Sequence, residues 1–389
     1  MLCTLPPSSR VRALIDANSF FASCEILRHP SWEGKAVCVA REQDIVLAAS
    51  YEAKSFGVTT GTATWEARRI LPDAIFTPPD FQWYQHISHR LMRWLGEYGL
   101  QCIPFSVDEA FVELTRYDIR KGMTFEDLAE ELIIMIKKHI GIPISIGIAP
   151  TKLLAKIFAN VYKPMGSCVA LEHGQIDILL QWLPLRAITF VGAQWSQHLR
   201  YRCQTALDFK QLSYHFVKKT MGWHGLKLWW ELHGCEAMSF VARTHQLSVG
   251  RSRSFHPHFT SDEKQVWQYL QENVARAYRH MLSQHVCCKL VSVGLVTKDF
   301  ASYRQDHHFA SHTNEIILIQ QQVRKLFDRL YAPGVLYRKT AIYFSHLVSG
   351  VEQQSLFDVD GGVIRQSKLS ETINHLHESF GGSVVSVGM

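Results

Sequence analysis

Three acids far apart in the sequence, Asp16 and the adjacent pair Asp108 and Glu109, are the residues best placed to do chemistry. Asp16 closes a short apolar run, Val11 to Asp16, that reads as a buried strand, and Ser19 to Glu25 then reads as the start of a helix. Asp108 and Glu109 stand where the two strand-like halves of QCIPFSVDEAFVELT meet. If these strands share a sheet, the three acids can converge on one edge. Carboxylates so close repel and raise one another's pKa unless cations neutralise them, and an all-oxygen donor set favours Mg2+ over zinc. Two such ions about 3.5–4 Å apart form the clamp that stabilises attacking and leaving oxygens in phosphoryl transfer. Taken alone, an Asp at a strand end or an Asp-Glu turn is more often simply solvated, so the motif takes its weight from its surroundings.

The other candidate ligands are weaker. Nine cysteines, an odd number with no CxxC pair, argue against disulfides and a zinc knuckle, and Cys287 and Cys288 fall on opposite faces of a strand. His307, His308 and His312 lack Cys or carboxylates at ligand spacing and read as a polar surface turn.

The elements that must position the acids follow from periodicity. After Trp32, AVCVA and DIVLAAS are two β-like runs, followed by a helical turn from Tyr51 to Phe56 and a short helix from Thr64 to Leu71. Helices are expected over 81–98, 125–139 and 152–161, with a strand over 144–149. In order this is an α+β sheet covered by helices, with a small insert after its first helix. Residues 183–247 read as a Trp-rich all-α region broken at Gly192, Gly222 and Gly234. From Ser248 a second α+β pattern begins: strand SVGRSRSF, helix 262–283, strand CCKLVSVGLVT, helix 314–331 and strand TAIYFSHL, ending near Val348. The tail from Ser349 is polar and Gly-rich, with a possible last helix from Leu369 to His377.

Composition sets the outer bounds. A chain of 389 residues, 47% hydrophobic and 20% charged, is a multidomain globular protein and not a fibrous or disordered polymer. Its apolar runs fall far short of a membrane span, and Met1 to Arg12 has no secretory h-region and reads as a disordered lead-in, so a cytoplasmic, nucleoid-associated protein is expected. Net charge is +6, and the segment from Ser248 to Leu347, with 13 Lys/Arg against 7 Asp/Glu, carries that excess. A basic domain beside a neutral body suggests a phosphate-rich partner, most simply nucleic acid. Arg251 and Arg253 are two apart on a strand and share a face, with Ser252 and Ser254 on the other. Such a face can track a phosphate backbone without reading bases.

Five motifs in order carry a family resemblance. IDANSFFASCE (Ile15 to Glu25) and SVDEAF (Ser106 to Phe111) resemble the two catalytic motifs of the Y-family DNA polymerases, and SYEAKSFGV (Ser50 to Val58), GIAPTKLLAKIFANVYKPMG (Gly147 to Gly166) and SRSF (Ser252 to Phe255) match in sequence order. The last strand and the QQSLFD tail look most like the UmuC branch, the catalytic subunit of DNA polymerase V. The resemblance covers roughly residues 11–348. It implies a right-hand polymerase with a ferredoxin-like palm over 1–30 and 78–170, a fingers insert over 31–77, a helical thumb over 171–240 and a linker over 241–247. A basic little finger over 248–348 and a tail over 349–389 complete the division.

Carried onto this sequence, the resemblance makes Asp16, Asp108 and Glu109 the catalytic metal ligands for two Mg2+ ions, with the carbonyl of Ala17 at the nucleotide metal. Phe21, beside Phe20, becomes the steric gate that excludes a 2′-hydroxyl, although an apolar helix residue is otherwise a core residue. Tyr51, Lys54 and Lys163 hold the triphosphate. Arg251, Arg253 and Ser254 contact DNA. Many family members have Arg where this chain has Lys54, and only Gly192 remains of the Gly-rich thumb turn, here FVGAQ.

The implied activity is template-directed, low-fidelity translesion synthesis from dNTPs on primer-template DNA. Its rivals are a catalytically inactive, clamp-tethered DNA-binding accessory of the same fold and a two-metal nuclease on the same acids. Gln353, Leu356 and Phe357 resemble the peptide that binds the bacterial sliding clamp, with two apolar residues in a polar stretch. A UmuC-like enzyme also implies a UmuD-type dimer and a recombinase filament as partners.

Overall fold

Residues 10–42, 44–115, 123–238, 247–255 and 259–349 are described by a computed structural model. The chain divides into two units, Met1–Ala242 and Arg243–Met389. Gln353, Leu356, Phe357 and the helix expected over 369–377 lie outside the described residues, as does most of the stretch read as linker.

In the first unit, β1 (Arg12–Ala17), buried at every residue, is the middle strand of five. It is followed by α1 (Phe20–Arg28), then β2 (Val37–Ala40), β3 (Val46–Ala49), α2 (Tyr51–Ser55), α3 (Thr64–Ile70) and β4 (Ile75–Thr77). β2, β3 and β4 form their own small sheet in the order β3-β2-β4. α4 (Phe81–Glu97), β5 (Gln101–Pro104), β6 (Glu109–Glu113), α5 (Phe125–His139), β7 (Ile144–Ala149), α6 (Lys152–Phe158) and β8 (Ser167–Val169) complete the first sheet, ordered β5-β6-β1-β7-β8. α7 (His173–Trp182), α8 (Ala193–Leu199), α9 (Ala206–Gln211) and α10 (Tyr214–Leu232) make up the helical region, with Gly222 at φ 62° kinking α10.

Strand alternation decides what each face of β1 meets. Ala13, Ile15 and Ala17 pack with Leu91 and Leu95 of α4 and Leu128 and Leu132 of α5, whereas Leu14 joins Phe111, Leu154 and Phe158 in a separate core continuous with α7–α10. Asp16, two residues beyond Leu14, therefore belongs to the α6 face. Glu109 is its direct cross-strand partner and stands two residues before Phe111, so it shares that face.

The second unit comprises β9 (Ser248–Ser254), α11 (Glu263–Ser283), β10 (Val286–Thr297), β11 (Ser302–Thr313), α12 (Ile316–Leu330), β12 (Tyr337–Ser345) and β13 (Val348–Ser349). Its sheet runs β11-β10-β12-β9, and Val249, Val291, Val293, Ile342 and Phe344 pack one face against both helices.

Three strands differ from the sequence reading. β4 and β8 are three-residue strands, too short for a periodic signal. β11 replaces the expected turn: His307, His308 and His312 lie along a twelve-residue edge strand that is exposed over most of its length, so almost no apolar alternation marks it. At the N-terminus, the lead-in expected through Arg12 differs from the structure at its described end, Arg10 to Arg12. Arg12 starts β1 and its guanidinium donates to Glu236 at 3.0 Å, joined there by Arg10 and Lys152.

Candidate active site

Backbone geometry brings the acids together. The β1–β6 register sets Asp16 opposite Glu109, and the Ala17 amide donates to the Asp108 carbonyl at 2.9 Å, extending the ladder one step past β6. Ser19, at φ 45°, turns the chain sharply from β1 into α1, so that one short segment supplies both Asp16 and Phe21. Asp16, Ala17, Phe20, Phe21, Tyr51, Lys54, Asp108 and Lys163 all line one cleft of about 410 Å3. Residues from four separate motifs meet there.

The side chains are arranged by charge. Lys163 Nζ donates to Asp16 Oδ1 at 2.7 Å, and Lys156 of α6 pairs with Glu109. Asp108 accepts from the Ser106 hydroxyl. Burial pushes the Asp16 carboxyl up to about 6 against the pull of the Lys163 ammonium, and nearby Glu109 adds to the rise. Glu109 is buried but does not line the cleft.

Tyr51 and Lys54 are placed by α2, whose first turn is capped when the Ser50 hydroxyl accepts from the Ala53 amide. Lys54 Nζ donates to Ser19 Oγ at 2.7 Å and lies 4.5 Å from the Tyr51 ring centroid. Burial, with the Lys163 ammonium nearby, lowers its pKa. Phe20 is buried in the core, while Phe21 is half-buried and stacks on Tyr84 with centroids 4.5 Å apart. Phe81 meets the same ring edge-on, and Tyr84 is anchored by its hydroxyl, which donates to Glu25 at 2.7 Å. Phe21 is thus backed by a fixed aromatic floor.

Among the described residues no three His, Cys, Asp or Glu side chains are gathered as a metal-binding group. The donor set nonetheless fits a hard divalent cation: carboxylate oxygens of Asp16 and Glu109 on a shared sheet face, with Asp108 next in sequence to Glu109 and ammonium cations already at Asp16 and Glu109. Asp16, Asp108 and Glu109 are the residues that would hold it.

Two contributors escaped the sequence reading. Asn18, 1% exposed, exchanges hydrogen bonds with Ser145 and accepts from the Met165 amide at 2.8 Å, pinning the loop that carries Lys163 to the end of β1. Lys156 lies inside the motif quoted from Gly147 to Gly166. Its signal was its spacing of four from Lys152, which puts both on one side of a helix.

In the second unit, Arg251 and Arg253 do share a face, and it is the one toward α11, since Val249 on the same face enters the core. Arg253 pairs with Glu272 and lies over Tyr269, with 4.8 Å from its guanidinium carbon to the ring centroid. Arg251 lines an open cleft of about 540 Å3 with Arg276, Arg279, His280 and Ser283. Ser254 is exposed on the opposite face of β9, paired in register with Lys339 of β12.

Comparison with known proteins bears on the fold and the family. The impB/mucB/samB family matches residues 15–160, and the C-terminal domain of that family matches residues 246–356. A protein of Halalkalibacterium halodurans named DNA polymerase IV 1 is 29% identical over 388 residues, 97% of this chain and 93% of the relative. Among solved structures, a Y-family polymerase chimera of Dbh and Dpo4 superposes with a TM-score of 0.74 at 24% identity, covering 87% of this chain and all of the other. A structure described as an insertion ternary complex of Dbh DNA polymerase gives 0.59 at 23%, covering 87% of this chain and all of the other. The fold is therefore that of a right-hand polymerase with an α+β little finger. The chain belongs to the Y-family of DNA polymerases, and its enzyme class is DNA-directed DNA polymerase.

Proposed function

We propose that this polymerase carries out low-fidelity translesion synthesis by two-metal nucleotidyl transfer at the cleft between β1, α2 and the Lys163 loop. The observation that carries the proposal is the meeting of Asp16, Asp108, a backed aromatic ring and two lysines in one cleft of nucleotide size, with Glu109 the cross-strand partner of Asp16. The primer 3′-hydroxyl attacks the α-phosphate of a dNTP in line, and pyrophosphate leaves. When bound, Mg2+ supplies charge neutralisation at the attacking and leaving oxygens. Asp16, Asp108 and Glu109 hold the ions, with the Ala17 carbonyl as a further oxygen. Tyr51, Lys54 and Lys163 orient the triphosphate, and Phe21 occupies the space a 2′-hydroxyl would need.

The domain boundaries set out above follow from the same reading, with β2–β4, α2 and α3 as fingers. So small an insert closes little around the nascent pair, which favours tolerance of damaged templates over base selection. Primer-template DNA is the substrate, the second unit is its extra grip through Arg251, Arg253 and Ser254, and the bacterial nucleoid is the place of action. No helix among the described residues is long and apolar enough to cross a membrane.

For the branch, the relative named DNA polymerase IV 1 aligns over nearly the whole chain, whereas the UmuC-like reading rests on the last strand and the tail. The UmuC-like proposal is tested by whether extension requires a UmuD-type dimer and a recombinase filament, and the clamp motif by whether Leu356→Ala with Phe357→Ala abolishes clamp binding. The test of the function itself is primer extension on undamaged and abasic templates with Mg2+ and dNTPs. Extension past the abasic site supports it. DNA binding without extension would indicate the inactive accessory, and degradation of labelled DNA without dNTPs would indicate the nuclease.

A further inference from the structure

The two ammoniums at the acids are held by independent devices. Lys156 comes from α6, whose Leu153, Leu154, Ile157 and Phe158 are buried and fix the helix in place. Its ammonium also lies 5.0 Å from the Phe105 ring centroid. Lys163 comes from the loop that Asn18 pins through Met165. The four side chains are mostly enclosed: Asp16 is 9% exposed, Glu109 12%, Lys156 18% and Lys163 23%. Two carboxylates and two ammoniums make this group neutral. In a half-dry setting, removing one partner leaves the other charge uncompensated, so whatever takes a carboxylate oxygen must replace what the ammonium supplies.

We propose that Lys156 and Lys163 are resident counter-cations of the carboxylate site, which a divalent cation displaces, so that ammonium and metal compete for the same oxygens. The inference rests on the reading of Asp16, Asp108 and Glu109 as metal ligands. Lys156 is then a positioning residue. It acts through Glu109, holding that carboxylate on the α6 side and off the cleft until a cation draws it in. Lys163 has a second anion to turn to: a triphosphate in the cleft competes with Asp16 for its ammonium and frees Asp16 for the metal. Nucleotide and metal therefore bind cooperatively, and reciprocity requires each to strengthen the other by the same factor.

The test is Mn2+ binding to the full chain without nucleotide, followed by electron paramagnetic resonance. Lys156→Gln is expected to bind Mn2+ about five-fold more tightly than wild type, the weight of one partly exposed charge pair, and Lys156→Arg to match wild type. A folded Lys156→Gln that binds Mn2+ equally or more weakly overturns the proposal. Should that variant fail to fold, the wild type decides the matter through acylation with acetic anhydride read by mass spectrometry. Mg2+ is expected to raise labelling of Lys156 and Lys163 at least two-fold, while Lys210, paired with Asp177, stays constant. Unchanged labelling under conditions where Mn2+ binds overturns it. If Asp16→Asn binds Mn2+ as wild type does, the ligand reading fails and the proposal falls with it; if Asp16→Asn abolishes binding and Lys156→Gln changes nothing, only the counter-cation proposal falls.

Discussion

The two charged clefts of this polymerase are built on opposite plans. Around β1 each acid is met by a partner, Asp16 by Lys163, Glu109 by Lys156 and Asp108 by Ser106, with Asp16 and Asp108 lining the cleft and Glu109 buried beside it. Between β9 and α11, Arg251, Arg276 and Arg279 share an open cleft and make no ion pair among the described residues. A balanced, enclosed set of charges can be rearranged by a substrate that exchanges partners, which suits bond making. An unbalanced, open set only attracts, which suits holding a polyanion wherever it lies. The net charge of +6 is thus carried by residues 248–347, while the rest of the chain cancels.

This contrast can be broken by substitution, and the largest effect belongs to the enclosed cleft. Asp16→Asn is expected to lower the single-turnover rate of nucleotide addition by about 10^3-fold or more while primer-template affinity changes little, measured by rapid quench and by fluorescence anisotropy. A loss of affinity with an intact rate would reverse the roles assigned to the two clefts. Next, Phe21→Ala removes the ring stacked on Tyr84 and should raise rNTP use relative to dNTP by about 10–100-fold, seen in competing extension assays. An unchanged ratio would remove Phe21 as the gate.

In the open cleft the effects are smaller and of another kind. Arg276→Ala and Arg279→Ala should each weaken binding uniformly across sequences and reduce the slope of log affinity against log salt by about one, with the loss falling on the DNA concentration needed for half-maximal rate. A sequence-dependent loss would show base reading instead. The smallest effect sharpens the electrostatics of the first cleft. With the Asp16 carboxyl raised to about 6, the folded protein at pH 6 holds a proton there half the time, and a divalent cation expels it. Calorimetry in buffers of different ionisation enthalpy should therefore find roughly half a proton released on Mg2+ binding at pH 6, falling toward none by pH 8. The same sign applies to stability without metal: because folding raises this acid's pKa, its destabilising contribution is present above pH 6 and is relieved as pH falls toward the unfolded value.

What the sequence disclosed follows from how each feature is encoded. The first sheet and its acids were legible because buried strands such as VRALID and ISIGIA are short continuous apolar runs, and because an acid at the end of one stands out. Helices with a strong apolar stripe, such as α4, α5 and α11, matched within a residue or so at each end. β11 was missed because a strand with one open face and a free edge needs few apolar residues. Lys156 was passed over because its role depends on α6 crossing the sheet face that carries Asp16 of β1 and Glu109 of β6, a relation set by packing that the spacing from Lys152 does not itself disclose. For Arg251 and Arg253 the shared face was readable, but not that it faces α11, since only tertiary packing selects which side of a sheet is covered.

The measurement that bears most directly on the central claim is anomalous scattering from crystals grown with Mn2+, primer-template and an incoming dNTP. The account predicts two Mn2+ peaks bound by Asp16, Asp108 and Glu109, with the Lys156 and Lys163 ammoniums withdrawn from those carboxylates. Peaks elsewhere, or both lysines still paired with the acids while nucleotide is bound, would contradict it.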